Sequence, residues 1–528
     1  MVQFILLLLH ALLWVPAVSI GKATPPIAQT DQGIYIGRQK AYNNTLINYW
    51  YGIPYAQQPI GRLRWMPPQT LPTSNHTKRA YNANACPQNY IYGVSTTESC
   101  LTLNVYAPAQ ANNSPVYVWI HGGAFNIGAG VYYDASLLVS TSINYSVPVV
   151  VVTINYRLGL LGFMADKDLY NERSGIGNQS TTGNYGILDQ VMALNWIKKN
   201  IHGFGGDPQQ ITIGGESAGG VSVTILLMSS LVSNQTFQRA IIQSGAIWPN
   251  VISTLENALN NSGNILRALT NCTTTQCMRN LSVDRILEIQ DVASKRNIGV
   301  ITIPVIDDYV IDDFMENKLA KGDFHKVPLL IGSNTNETSS LVCPIFNGTA
   351  NRTQMEIFLS TIYNSTILNE IPTVYGPISA SKNPLTYVNI VYSDSWAHCG
   401  SRRMAAKFSD YGLSSYFYTY NYILPVAPTC FGVSHTAELT MFFPSILSLL
   451  YPHYKLTTSE QELARDMILY WVNFIRSSNP NYCTSAINWN IYLTSSDNDL
   501  VLDMDSHMRN QYFSDNILQY DEIYLALI

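Results

Sequence analysis

The chain has 528 residues, of which 47% are hydrophobic and only 12% are charged, and its formal net charge is −5 at pH 7. A chain of this length and composition can bury a large core, which excludes an intrinsically disordered protein. The negative balance provides no basic field for phosphates, so we expect no nucleic-acid partner. Length alone allows about two to four domains, although large α/β enzymes often form one.

The N-terminus is the first segment with a recognisable pattern. Residues 4–15 are nearly all apolar, and the small residues at 17–19 offer a cleavage site. A membrane anchor is the alternative, but the run is too short to span comfortably, and no later segment reaches spanning length without charged or turn residues. We predict a signal peptide over residues 1–19, cleaved near Ser19. After it we expect one soluble domain over residues 20–528, which is secreted and has no stable membrane insertion.

Strand-like and helix-like segments alternate along the mature chain. β-Branched, apolar runs predict central strands, and 3.6-residue periodicity predicts helices. The predicted strands lie at residues 116–120, 147–154, 210–213, 240–243, 327–331 and 416–422. The predicted helices lie at residues 188–200, 221–228 and 461–477, with a polar, helical segment at 255–323 able to cap the sheet. This alternation predicts an α/β fold, with a mostly parallel central sheet covered by helices on both faces.

One motif carries a candidate nucleophile. Gly215-Glu216-Ser217-Ala218-Gly219 fits G-x-S-x-G and lies between a predicted strand and a predicted helix. The small neighbours permit a tight turn that lifts the serine hydroxyl into a cleft. A bare match occurs by chance in long chains, and an ordinary Gly-rich turn is the alternative. The flanking strand and helix favour the nucleophile.

A serine nucleophile needs a base and an orienting acid, and the chain offers both in the order Ser, acid, His. Glu337 directly follows a predicted strand, so a loop would present it at the strand's carboxyl end. His435 lies in the glycine-containing loop 430–438. Either residue alone is more often a surface group or a satisfied core polar group. Their joint order and loop positions favour an acid and a base acting on Ser217.

A candidate oxyanion hole precedes the nucleophile. The segment His121-Gly122-Gly123-Ala124-Phe125 follows the strand predicted at 116–120. Its backbone N–H groups can point at a substrate oxygen, together with the N–H of the residue after the nucleophile. A merely flexible turn is the weaker alternative because the segment lies at a strand's end.

Cysteines and glycosylation sequons agree with export. The eight cysteines suit an oxidising compartment, and both Cys86–Cys100 and Cys272–Cys277 would close short loops. The four remaining cysteines, Cys343, Cys399, Cys430 and Cys483, allow three pairings, of which Cys399 with Cys430 is preferred. N-x-S/T acceptors occur at residues 43, 75, 112, 144, 178, 234, 260, 271, 280, 347, 351 and 364. Asn336 also qualifies, but it adjoins Glu337, and we predict that it is buried and bare.

The complete set of motifs resembles the type-B carboxylesterase/lipase family, which includes cholinesterases and secreted fungal lipases. The resemblance covers nearly the whole mature chain. Its motifs are Gly52-Ile53-Pro54-Tyr55-Ala56, Gly61-Arg62-Leu63-Arg64-Trp65, Glu98-Ser99-Cys100-Leu101-Thr102-Leu103-Asn104-Val105, residues 119–125, Asn155-Tyr156-Arg157-Leu158-Gly159, Gly205-Gly206-Asp207-Pro208 with residues 214–220, Gln243-Ser244-Gly245 and Gly432-Val433-Ser434-His435.

This resemblance implies an α/β-hydrolase fold and serine ester hydrolysis with no metal and no organic cofactor. The implied triad is Ser217, Glu337 and His435, and the implied oxyanion donors are the backbone N–H groups of Gly123, Ala124 and Ala218. Two positions depart from the family pattern. Family members often have glycine where this chain has Ala124, and alanine keeps the N–H. Glycine also commonly follows the acid, where this chain has Thr338, so the loop differs while the carboxylate remains.

The resemblance also implies supporting contacts. It suggests the disulfides Cys86–Cys100 and Cys272–Cys277 and the ion pairs Arg64–Glu98 and Arg157–Asp189. Glu216, Ser244 and Glu438 match positions whose side chains would steady the histidine. The other histidines show no metal-ligand spacing.

The substrate is less well specified. In the cholinesterases that the chain resembles, a tryptophan in the first disulfide loop binds choline, and in related fungal lipases the same loop is a long lid. Loop 87–99 is short and has no tryptophan, so the resemblance disfavours a choline site and a large lid, and we predict small-molecule esters of short-to-medium acyl chains. A triacylglycerol lipase is one alternative, and a non-catalytic binding or adhesion protein on the same fold is another. Candidate pocket walls, with ordinary core as an equal alternative, are Phe125, Trp248, Phe442 and Phe443. The oligomeric state is left open.

Overall fold

The computed structural model describes residues 24–89, 92–248, 250–295, 301–482 and 487–511. The signal peptide predicted at 1–19 lies outside these residues, and the single domain over 20–528 stays a prediction. The strands are β1 (Ile27–Thr30), β2 (Gly33–Ile36), β3 (Arg38–Tyr42), β4 (Thr45–Pro54), β5 (Thr77–Arg79), β6 (Thr102–Pro108), β7 (Ser114–Ile120), β8 (Val150–Ile154), β9 (Gly206–Glu216), β10 (Arg239–Gln243), β11 (Ser253–Thr254), β12 (Val305–Ile306), β13 (Leu329–Asn334), β14 (Ser415–Tyr420), β15 (Asp499–Leu502) and β16 (His507–Arg509).

Helices connect and cover these strands. They are α1 (Ser136–Asn144), α2 (Gly159–Phe163), α3 (Lys167–Asn171), α4 (Tyr185–Asn200), α5 (Ala218–Met228), α6 (Leu255–Asn261), α7 (Gly263–Thr270), α8 (Thr275–Arg279), α9 (Val283–Lys295), α10 (Met315–Lys321), α11 (Ser339–Ile345), α12 (Arg352–Ile362), α13 (Ser365–Tyr375), α14 (Pro384–Ser393), α15 (Cys399–Asp410), α16 (Leu439–Phe442), α17 (Pro444–Leu450) and α18 (Thr458–Ser477). None of the described helices is both long and apolar enough to cross a membrane.

Eleven strands form one sheet, in the order β16-β15-β14-β13-β10-β9-β7-β8-β6-β4-β3. From β15 to β8 in this order, neighbouring strands are parallel. The strands at both edges are antiparallel. The mostly parallel sheet predicted from the sequence is therefore confirmed, and its carboxyl ends meet at one edge.

Alternating side chains of β7 show why helices cover both faces. Val116, Val118 and Ile120 belong to one apolar core, which includes residues of α4 and α5. Tyr117 and Trp119 point to the other core, which includes residues of α18. Every residue of β7 is buried, as expected for a strand enclosed on two faces.

The predicted strands and helices are present, mostly with longer bounds, but several elements were not predicted, among them β1–β6, β15, β16, α1–α3 and α11–α17. The strands β1–β6, antiparallel except for the parallel pairing of β5 with β2, carry mixed polar patterns, and several are short. The helices α11–α15 occupy residues 339–410, which carry no prediction. The polar segment at 255–323 is helical as predicted, but α9 packs on α2 in a separate cluster, whereas α10 joins the core beside α5. Its expected position as a cap over the sheet holds only in part.

Disulfides agree with the sequence at two pairs and differ at the third. The structure contains Cys86–Cys100 and Cys272–Cys277. It pairs Cys343 with Cys430, with a Cα–Cα distance of 6.1 Å, so the preferred Cys399–Cys430 pairing is wrong. The packing of α11 brings Cys343 to the loop of Cys430, which residue spacing does not encode. Cys483 lies outside the described residues.

Both implied ion pairs are present. The Arg157 guanidinium lies 2.7 Å from the Asp189 carboxylate, with both side chains buried. Arg64 Nη2 donates to Glu98 Oε2 at 2.8 Å. Each pair joins a loop at the edge of the sheet to a neighbouring segment. A buried charge needs such a partner, because burial removes it from water.

Candidate active site

Ser217 occupies a strained turn between β9 and α5. Its φ of 59° and ψ of −128° lie outside the regions that L-residues ordinarily adopt, at a cost of about 1–3 kcal/mol. The turn is held because Ser217 N–H donates to Gln243 O at 3.0 Å. A side chain at Gly219 would overlap the Ile120 carbonyl, so glycine permits α5 to approach β7. The sequence predicted this turn, and the structure contains it.

Glu337 and His435 meet at the carboxyl edge of the sheet. β13 ends at Asn334, and the loop after it buries the Glu337 side chain completely. His435 Nδ1 lies 2.6 Å from Glu337 Oε2, and Glu337 Oε1 accepts the backbone N–H of Asn334 at 2.7 Å. The carboxylate makes Nδ1 the donor, which leaves His435 Nε2 able to accept a proton.

The open nitrogen of His435 faces the nucleophile turn. His435 Nε2 lies 3.2 Å from Oε1 of Glu216, the residue before Ser217. Neither of these two atoms has a hydrogen-bond partner in the part of the chain that the structure describes. A base with an unused acceptor beside the turn that carries a serine is an arrangement suited to proton abstraction.

Burial and mutual charge set the pKa values of this cluster. Burial raises the pKa of Glu216 well above its ordinary value. Burial and the charge of Glu337 raise the pKa of Glu438 to about 7. Burial opposes ionisation of Glu337, but the charge of His435 and hydrogen bonds hold its pKa below its ordinary value. Burial likewise opposes protonation of His435, and the carboxylates of Glu216 and Glu337 outweigh it and raise the His435 pKa.

The residues matched to supporting positions lie around this pair. The Ser244 hydroxyl lies close enough to Glu337 to lower the carboxyl pKa, without reaching hydrogen-bond geometry. Glu438 Oε2 accepts from Asn334 Nδ2 at 2.6 Å, and its Oε1 accepts from Gln243 Nε2 at 3.2 Å. Glu438 therefore holds the end of β13, while the Glu216 carboxyl lies against His435 itself.

The glycine loop after β7 lies directly against Ser217. A side chain at Gly122 would come within 2.8 Å of Ser217 Cβ, and one at Gly123 would overlap the Ile127 carbonyl. The φ values are 111° at Gly123 and 51° at Ala124. Among the described residues, the N–H groups of Gly123 and Ala124 donate no hydrogen bond to the rest of the backbone. The Ala218 N–H begins α5, where the first N–H groups have no partner within the helix.

Of the four candidate pocket aromatics, only Trp248 touches the triad candidates. It stacks on Trp396 with ring centroids 4.2 Å apart, and it lies 6.0 Å from the His435 ring. Trp396 is closer still, at 4.9 Å. Phe442 and Phe443 belong to the core on the α18 face, and Phe125 packs on Phe163 in the opposite core. No spacing in the sequence pointed to Trp396.

Two further residues lie beside the site: Asn334, which was not predicted, and Thr338, whose effect on the loop was left open. Asn334 bonds the acid, Glu438 and, through its side chain, the Ser434 carbonyl at 3.0 Å. It lies within the run before Glu337, which was the available signal. Thr338 departs from the family pattern, and its N–H donates to Ser393 Oγ at 3.1 Å. Across the described residues, no group of three His, Cys, Asp or Glu side chains is arranged to hold a metal ion.

Comparisons with known proteins give matches that cover most of the chain. The model of the carboxylesterase family matches residues 24–520. Carboxylesterase 1D of Rattus norvegicus is 30% identical over 513 residues, which cover 87% of this chain and 86% of that protein. The pyrethroid hydrolase Ces2e of Rattus norvegicus is 32% identical over 499 residues, 86% of this chain and 82% of that protein. The cAMP-regulated D2 protein of Dictyostelium discoideum is 30% identical over 545 residues, 97% and 96% of the two chains.

Proposed function

From the premise that the chain belongs to the carboxylesterase family, we propose that it is a secreted serine esterase for short-to-medium acyl esters. The family makes it an α/β-hydrolase that hydrolyses carboxylic esters of small molecules. The proposal adds the triad, the acyl preference and secretion. One observation carries it: the His435–Glu337 pair, 2.6 Å apart, presents its open Nε2 beside the strained turn of Ser217.

Acylation follows from these positions. His435 Nε2 takes the proton of the Ser217 hydroxyl while the Ser217 oxygen bonds to the ester carbonyl carbon. The N–H groups of Gly123, Ala124 and Ala218 are proposed to stabilise the carbonyl oxygen as it becomes negative. The ester C–O bond then breaks, and the imidazolium, held by the Glu337 carboxylate, gives its proton to the leaving alcohol.

Deacylation repeats these steps with water. His435 Nε2 removes a proton from water while the water oxygen attacks the acyl carbon. The bond to the Ser217 oxygen breaks, and the imidazolium returns a proton to that oxygen. The products are one carboxylic acid and one alcohol, and the enzyme is regenerated.

The acyl preference is supported by the surroundings of the site. The disulfide Cys86–Cys100 closes a loop with a sequence separation of only 14, too little for a large lid over an open cleft. The stacked rings of Trp248 and Trp396 stand beside His435 and would limit the space there. Both features favour small esters over long acyl chains.

Secretion is supported by covalent features. The described residues contain three disulfides, which persist in oxidising compartments. The twelve asparagines predicted as glycan acceptors are all exposed. Whether residues 1–19 are removed is tested by sequencing the N-terminus of the exported protein, which is expected to begin near Ile20.

The direct test is hydrolysis of tributyrin, measured from well below to above its solubility limit. The variant Ser217→Ala is expected to lower kcat by at least about 10⁴-fold, because the nucleophile is lost. Ser230→Ala, an exposed serine just after α5, is the matched control and should keep full activity.

The shape of the rate curve tests the substrate class. Saturation while tributyrin is still dissolved would support the esterase. A rate that rises only when droplets form would establish a lipase and contradict the acyl preference. Turnover in Ser217→Ala equal to that of the wild type would contradict the triad, and no turnover in either protein would favour a binding protein.

A further inference from the structure

A single π-helical turn, Asp394–His398, joins α14 to α15 beside the site. Such turns are rare and are often found at functional positions. This one directs two side chains toward the triad candidates. The Trp396 ring lies edge-on to the His435 ring, and His398 reaches the end of the strand that precedes Glu337.

His398 is buried between two hydrogen-bond acceptors. Its Nδ1 lies 2.7 Å from Asp394 Oδ1, and its Nε2 lies 2.7 Å from the Asn334 carbonyl oxygen. Because an ionised Asp394 and a carbonyl oxygen only accept, this geometry favours a proton on both ring nitrogens, which makes the ring an imidazolium. The other Asp394 oxygen accepts from the Tyr375 hydroxyl at 2.8 Å, which fixes the carboxylate.

Charge agrees with this geometry. Burial opposes protonation of His398, but Asp394, the Asn334 carbonyl and the more distant Glu337 outweigh it and raise its pKa. An imidazolium enclosed by protein needs such a paired anion. The proposed reaction gives His398 no proton to carry, because its two nitrogens are occupied.

Asn334 is the link to the site. Its carbonyl accepts from His398, while its own N–H donates to Glu337 Oε1 at 2.7 Å. Its side chain donates to Glu438 and to the carbonyl of Ser434, which is the residue before His435. The acid and the loop of the base thus depend on one residue, and that residue is held from behind by His398.

We infer that His398 is a positioning residue for ester hydrolysis: the imidazolium, paired with Asp394, holds Asn334 and thereby sets the position of Glu337 and the charge around His435. This inference rests on the proposed triad. It assigns His398 no contact with substrate. Loss of the hydrogen bond and loss of the charge should have separable effects.

Two variants separate them, with a soluble 4-nitrophenyl ester as substrate. His398→Leu removes both the hydrogen bond and the charge and is expected to lower kcat by at least about tenfold, with KM nearly unchanged, because Glu337 shifts. His398→Gln keeps a donor for the Asn334 carbonyl and should keep most of kcat. Loss of the positive charge favours protonated His435, so the acid limb of its kcat/KM profile is expected to move to higher pH.

Arg267→Gln is the matched control, because it leaves Asp166 without its 2.6 Å ion-pair partner at a distance from the triad. This variant should lose stability but keep kcat and the acid limb. A folded His398→Leu enzyme with wild-type kcat overturns the inference. If that variant does not fold, an unmoved acid limb in His398→Gln overturns it. Failure of the proposed function is distinct, since Ser217→Ala would then retain activity.

Discussion

His435 stands among three buried carboxylates, and their distances give each a different role. Glu337 is bonded to Nδ1 at 2.6 Å, Glu216 lies 3.2 Å from Nε2, and Glu438 is bonded to Asn334 instead. The meeting of Glu337 and His435 was predictable from their loop positions, because loops after parallel strands meet at one edge of the sheet. The hydrogen bonds of Asn334 were not predictable, because its partners come from segments distant in the sequence.

Glu216→Gln tests the electrostatics of the base. The Glu216 carboxylate raises the His435 pKa, so its removal is expected to move the acid limb of kcat/KM to lower pH. The sign follows because activity needs neutral His435, which a lower pKa makes available in more acidic solution. Since the neighbouring carboxylates raise the His435 pKa to about 9, the measurement is kcat/KM against pH from about 5 to 11.

A remote carboxylate provides the control for this profile. Glu460→Gln changes a group bonded to Tyr422 and Tyr454, away from the triad candidates, and should leave the limb in place. An unmoved limb in Glu216→Gln would mean that Glu216 is already neutral in the free enzyme. That outcome would contradict the charge effect assigned to it.

At the scale of elements, the loops of Glu337 and His435 form one unit. Asn336 N–H donates to the Val433 carbonyl at 2.9 Å, and His435 N–H donates to the Glu337 carbonyl at 3.2 Å. The disulfide Cys343–Cys430 closes the same unit covalently. Periodicity predicted β13, but it did not predict α11, whose packing creates that disulfide.

Replacing Cys343 and Cys430 together with alanine is expected to destabilise the protein and to slow catalysis. The pair spans 87 residues, so chain entropy predicts a loss of about 4–5 kcal/mol in the free energy of unfolding. We also expect kcat to fall by about threefold or more, since the loops lose their tether. Denaturant unfolding and steady-state kinetics measure the two effects.

The matched control is the double alanine variant of Cys272 and Cys277, whose separation is only 5. The same entropy model predicts a loss of about 2 kcal/mol. We expect kcat not to change, because Cys272 packs in the separate cluster of α2 and α9. Equal effects of the two double variants on kcat would contradict a specific role of Cys343–Cys430.

For the whole molecule, exposure separates the glycan acceptors into two classes. The twelve acceptors predicted to be available are exposed, whereas Asn336 is half-buried and its amide oxygen accepts the Val433 N–H at 3.1 Å. The prediction that Asn336 is buried was therefore too strong. Its amide is nevertheless engaged between the loops of Glu337 and His435.

We expect glycans on exposed acceptors of the exported protein and none on Asn336. Glycopeptide mass spectrometry measures the occupancy of each site, and Asn43, which is exposed, provides an internal comparison. A glycan on Asn336 would require the loops of Glu337 and His435 to separate, and it would contradict the closed arrangement described above.

The sequence by itself determined the α/β class, the parallel centre of the sheet and the turn at Ser217. These features depend on local periodicity and turn chemistry, which neighbouring residues specify. Only the tertiary structure decided the pairing of Cys343 with Cys430 and the contacts of His398 and Trp396 with Asn334 and His435. Those contacts join segments separated by up to roughly a hundred residues. Whether these segments meet depends on how α11–α15 pack, and no local sequence pattern encodes that packing.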